Sequence, residues 1–138
     1  MAGEQLLRLG VTVNDAVSNI EKVDFRILAE GPVKSVLGYH YENWQPQEDL
    51  SYQVDETTSI WPGMYAYQNT VRFSGLKGDE RLMIGLVNIN NQNPLQEIQV
   101  NDQWMALLTH DMQTYDREWW LGMALILPSD IYLGYTEA

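Results

Sequence analysis

At 138 residues the chain has the length of one domain with a single hydrophobic core, and we expect one β-sandwich domain over residues 1–138. It has no cysteine, so neither a disulfide nor a thiolate metal site is available. Nineteen acidic against eight basic residues give a net charge of −11, which repels phosphate backbones and anionic headgroups and excludes nucleic acid and membranes as expected partners.

Met1 to Leu7 carries Glu4 and lacks a basic start followed by an apolar block, so no signal peptide is read there. From Glu21, Val23, Phe25 and Ile27 alternate with Asp24, Arg26 and Leu28, the period of a half-buried strand. Glu30-Gly31-Pro32 breaks the run, and a second alternation through Leu37, Tyr39 and Tyr41 predicts an antiparallel hairpin with His40 on its polar face.

Trp44 to Asp49 reads as a loop around Pro46, Ser51 to Ile60 as a strand, and Trp61-Pro62-Gly63 as its end. Tyr65, Tyr67, Asn69, Val71 and Phe73 alternate in a further strand, and the turn from Ser74 to Asp79 predicts a hairpin into Leu82 to Asn90. After the polar breaker 90–94, four more strands are expected at Glu97 to Val100, Gln103 to Thr109, Trp119 to Leu127 and Ile131 to Tyr135. Asp111 to Glu118 shows no clean period and fits a short helix or a loop.

Nine or ten short strands with turns between them and no helical period predict an all-β fold, an antiparallel sandwich. No apolar run reaches the roughly 18 residues of a membrane helix. The longest, Trp119 to Leu127, contains Gly122 and stops at Pro128, so a soluble protein is expected.

The usual catalytic signatures are absent: there is no nucleophile elbow, no phosphate-binding glycine loop and no His-Glu-x-x-His. His40 and His110 are the only imidazoles, too few for a zinc site of the usual kind, so no metal or other cofactor is expected. The densest cluster of polar chemistry runs from Thr109 to Trp120. In it His110, beside Asp111, suits general acid–base work, and Arg117 suits neutralising an anionic sugar. Asp111 as a turn cap, and Arg117 in an ion pair, account for the same residues without chemistry.

Five tryptophans and eight tyrosines offer flat apolar faces of the kind that stack on sugar rings. Trp44 and Trp61, beside prolines, are expected to be exposed and to bind ligand together with Tyr115 and Trp119, although aromatics at alternating positions also serve as cross-strand core pairs. Glu42, Asp55 and Glu56 are candidates for a carboxylate pair in glycosidic cleavage.

Three stretches, Ile27 to Val36, Gly78 to Glu80 with Ile84 to Ile89, and Thr109 to Asp111 with Leu121 to Leu125, resemble the bacterial domain-of-unknown-function 4861 family. Ile131 to Tyr135 fits the same pattern, so the resemblance covers the chain after about Val23. It implies a later part only of longer periplasmic or secreted proteins associated with polysaccharide breakdown, with a sandwich similar to the galactose-mutarotase-like supersandwich. It also implies a fragment or pared-down relative, whose uncovered sheet a homodimer would complete. No catalytic residue carries over from the resemblance.

The expected function is therefore carbohydrate binding or carbohydrate chemistry. An assembly module that pairs through exposed aromatics and strand edges is the alternative, and a small barrel around an apolar ligand a third.

Overall fold

The computed structural model describes residues 5–8, 19–46, 49–78, 80–86, 91–112, 114 and 116–135. They form nine strands and one 3-10 turn: β1 (Gln5–Arg8), β2 (Ile20–Ala29), β3 (Ser35–Trp44), β4 (Tyr52–Ile60), β5 (Tyr67–Ser74), β6 (Glu80–Met83), β7 (Gln96–Gln99), β8 (Trp104–Asp111), β9 (Leu121–Pro128) and η1 (Ser129–Ile131). The fold is all-β, as the alternation predicts, with one antiparallel sheet of four strands and another of three. The chain divides into two compact units, Met1–Ile84 and Gly85–Ala138.

In the first unit the strands run in the order β2-β3-β4-β5, each hairpin pairing with the next. One face carries Tyr41, Val54 and Phe73 in a cross-strand row. Trp44, Leu50, Tyr52 and Val54 are buried there, with Ile20, Tyr41, Val71 and Phe73 packed against them. The other face carries the polar row Asp24, His40, Asp55 and Arg72, which places His40 on the polar side as expected.

Trp44 reaches the core through a bulge. Tyr41 pairs with Val54 but Trp44 with Tyr52, so Glu42 and Asn43 together oppose Gln53. The extra residue reverses the alternation, and Trp44 lands on the face of Tyr41. Asn43 absorbs the distortion at a φ of 53°, a left-handed conformation that asparagine tolerates better than most residues. Its side chain is held from three directions: Nδ2 donates to Glu21 (2.8 Å), while Oδ1 accepts from Ser51 (2.5 Å) and Gln45 (3.3 Å).

Among the described residues β5 does not pair with the segment after it as the expected hairpin, whose residues 87–90 lie outside them. β6 pairs in parallel with β1, a strand that the sequence pattern did not reveal. Gly75, at a φ of +91°, carries the chain so close to β4 that an added Cβ would lie 3.0 Å from the Ser51 carbonyl. The Glu80 carboxylate then accepts the backbone N–H groups of Lys77 and Gly78, both at 2.7 Å, and the Tyr52 hydroxyl at 3.0 Å. These contacts close a turn of their own where a β-hairpin was expected.

In the second unit β7, β8 and β9 form a meander. Asn101 makes its first turn by accepting the N–H groups of Gln103 (2.9 Å) and Trp104 (3.0 Å) on its side chain. Leu107, Thr109 and Asp111 alternate along β8 as its buried face. The strand expected over Ile131 to Tyr135 is absent, because Pro128 leads into η1 and Gly134 takes a φ of +108°. Neither a helix nor a strand occupies the described residues between Asp111 and Leu121. Arg117 instead turns back, donating its N–H to the Thr114 carbonyl (2.9 Å) at a φ of 57°.

Candidate functional site

Consecutive strand residues point to opposite faces, and β8 ends by separating His110 from Asp111 in this way. His110 is exposed, and its partner across the ladder is Gly122, which has no side chain to stand beside the imidazole. Trp120, in the residue pair before β9, covers that gap with ring centroids 5.0 Å apart and planes tilted by 36°. The indole remains 59 % exposed. Together with Asn93, Pro94 and Gln96 the two rings line an open cleft of about 650 Å³.

Asp111 is 6 % exposed and faces away from His110. Its Oδ2 accepts the N–H groups of Gln92 (2.6 Å) and Asn93 (2.8 Å), and its Oδ1 that of Met112 (2.7 Å). These donors, Asn93 first and then Gln92, hold its carboxyl below the usual range for an aspartate. The expected acid–base partnership of His110 and Asp111 is therefore corrected: the carboxylate serves the backbone. The segment it anchors reaches the cleft, because Asn93 both lines the cleft and donates from its side chain to the His110 carbonyl (3.3 Å). Among the described residues no side chain hydrogen-bonds the His110 imidazole.

The other expected site residues are scattered. Arg117 and Trp119 lie in the turn before β9 and do not line the cleft. Trp119 is exposed, with its N–H on the Thr114 hydroxyl (3.3 Å). Tyr115 falls outside the described residues. The expected exposure of Trp44 is corrected: it is 4 % exposed, because the bulge at Asn43 turns it inward against Tyr52 and Phe73, with centroids at 6.0 and 6.3 Å. Trp61, half-buried in the first unit, has the Lys34 ammonium 4.8 Å above its ring.

Of the candidate carboxylates Glu42, Asp55 and Glu56, the adjacent two part, while Glu42 shares the face of Asp55. Asp55 bonds His40 on one face of the four-stranded sheet, whereas Glu56 accepts from Tyr41 (3.0 Å) and Asn69 (2.8 Å). Adjacent strand residues on opposite faces cannot flank one glycosidic bond.

Four cleft residues, Asn93, Pro94, Gln96 and Trp120, escaped sequence reasoning. Asn93 and Gln96 look like ordinary loop and strand polar residues, and only the Trp119-Trp120 pair was a visible signal. Choosing Trp120 required knowing that β9 begins at Leu121.

The molecule is thus an all-β protein with an open, aromatic-sided cleft, and no cluster of metal-ligating side chains occurs among its described residues. It belongs to the family described as Domain of unknown function (DUF4861), whose model matches residues 1–138, so the likeness seen after about Val23 extends over the whole chain. No curated protein and no solved structure matches it.

Proposed function

We propose that this protein binds carbohydrate through the cleft of His110 and Trp120, in the service of polysaccharide breakdown at a periplasmic or secreted location. The observation that carries the reading is the exposed Trp120 face, set against the His110 imidazole and bordered by the side-chain amides of Asn93 and Gln96. An indole face stacks on the apolar side of a pyranose, and neighbouring amides and an imidazole match its hydroxyls. With no carboxylate bonded to His110 among the described residues, the arrangement favours binding over acid–base turnover. A likeness to galactose-mutarotase-like supersandwiches belongs to the same proposal and rests on family resemblance alone.

Titration calorimetry against neutral and acidic oligosaccharides tests the reading. Saturable heat that is lost in Trp120→Ala and kept in Trp119→Ala is the expected result. Silence across the panel, or binding unaffected by Trp120→Ala, overturns it.

A second reading, assembly of two copies, draws on β2, an edge strand whose Val23, Phe25 and Ile27 are exposed along one face. Light scattering that shows a concentration-dependent dimer, abolished by Phe25→Asp, would support it. The barrel around an apolar ligand gains no such support, since β2, β5, β7 and β9 are open edges among the described residues.

A further inference from the structure

The cleft of the second unit makes no use of the chain's other histidine. His40 stands on the polar face of the four-stranded sheet, directly across the ladder from Asp24 on β2 and Asp55 on β4. Its Nδ1 lies 2.8 Å from Asp55 Oδ1. An ionised carboxylate only accepts, so Nδ1 carries the shared proton, and whenever the imidazole is neutral its lone pair is on Nε2. Asp55 thereby fixes both the tautomer and the orientation of a hydrogen-bond acceptor.

His40 borders an open depression of about 340 Å³, shared with the acidic residues Asp24, Asp55 and Glu56 and with Arg26, Leu28, Gly38 and Thr57. Gly38, paired with Arg26 across the ladder, has no side chain on this face. A Cβ there would lie 2.8 Å from Leu28 Cδ1, so the missing side chain lets Leu28 fold inward as an apolar wall. The charges are unevenly satisfied. Lys22 pairs with Asp24 at 2.7 Å, Asp55 has only a hydrogen bond from His40 when the imidazole is neutral, and Arg26 has no ion-pair partner among the described residues. In a chain of net charge −11 with only eight basic residues, an unpaired guanidinium beside an oriented imidazole acceptor and a threonine hydroxyl is a specific combination.

We propose that this depression binds a hydroxycarboxylate. The guanidinium of Arg26 takes the carboxylate through paired N–H donors, and a neighbouring ligand hydroxyl donates to His40 Nε2 with Thr57 beside it. Leu28 covers the carbon skeleton. Free hydroxy acids and sugar acids share this chemistry, and the test separates them. The site lies in the first unit and is independent of the sugar cleft.

Because the chain has only two histidines, NMR of the imidazoles gives a direct readout, and His110→Ala assigns the His40 signals. The probes are malate and glucuronate, with succinate lacking the hydroxyl and glucose lacking the carboxylate. The expected result is a saturable shift of the His40 resonances with malate, glucuronate or both, and an affinity about tenfold weaker for succinate and glucose. Response to malate alone assigns the site to free hydroxy acids, and response to glucuronate alone to sugar acids. Arg26→Gln, an exposed substitution, should weaken binding by about tenfold while leaving the His110 signals unchanged. No shift with either hydroxycarboxylate, equal binding of succinate, or equal binding by Arg26→Gln overturns the proposal.

Discussion

The backbone N–H of Asn93 donates to the carboxylate of Asp111 at 2.8 Å, so a residue on the buried face of a three-stranded sheet sets the position of one that lines the cleft on the opposite face. Asp111 acts on the site through this bond, by positioning Asn93 and the segment that leads to Pro94 and Gln96.

Asp111→Asn should release that segment, because a carboxamide replaces an acceptor-only group with one that presents N–H to N–H. We expect the backbone amides of Gln92 and Asn93 to lose hydrogen-exchange protection, and oligosaccharide affinity to fall several-fold. Unchanged protection of both amides would show that the segment holds itself.

The two tryptophans that differ most in burial should separate stability from binding. Trp44→Ala removes the largest ring of the first unit's core and should cost about 3–5 kcal/mol in urea denaturation. Trp120→Ala changes an exposed ring and should alter stability by no more than about 0.5 kcal/mol while abolishing the calorimetric signal.

Asn43→Ala should destabilise the first unit by about 1–3 kcal/mol, since alanine must hold a φ of 53° without the bonds to Glu21, Gln45 and Ser51. Asn43→Gly relieves the backbone term and loses only the side-chain bonds. Urea midpoints that order as wild type, then glycine, then alanine bear this out; an alanine variant as stable as wild type contradicts it.

Acid should weaken the fold through two carboxylates. The backbone N–H of Lys77, aided by those of Gly78 and Glu80 and by the Tyr52 hydroxyl, pulls Glu80 down from 4.5 to about 2. Asp111 is likewise lowered, by the amides of Asn93 and Gln92. A carboxyl depressed in the folded state stabilises above its unfolded value, and that contribution fades as pH falls through the folded one. The stability difference between wild type and Glu80→Gln should therefore be full above about 4.5 and shrink as pH falls towards about 2, followed by circular dichroism during urea titrations.

What the sequence made legible follows from period. Alternation runs through β2 to β5, so Val23 to Phe73 could be read strand by strand, down to the polar side of His40; the face it marks is buried around Trp44, Tyr52 and Val54, whereas Val23, Phe25 and Ile27 on the edge strand stay exposed. Trp44 was misplaced because one extra residue at Asn43 reverses the alternation, and a bulge has no signature in composition. The pairing of β6 with β1 was illegible because partners so distant in sequence leave no local mark. Of the cluster at 109–120, the residue types were visible, but which of them converge depended on the sidedness of β8 and on where β9 starts.

The uneven burial of the five indoles has an optical consequence. Trp104, Trp119 and Trp120 are exposed and Trp61 is half-buried, whereas Trp44 is sealed in the first unit's core. A dissolved quencher therefore extinguishes the outer emitters first and leaves a residual glow that belongs to Trp44. The net charge of −11 favours caesium over iodide for the purpose, because the anion is repelled from the surface it must collide with. Light from the interior can thus be separated from light at the cleft without altering a residue.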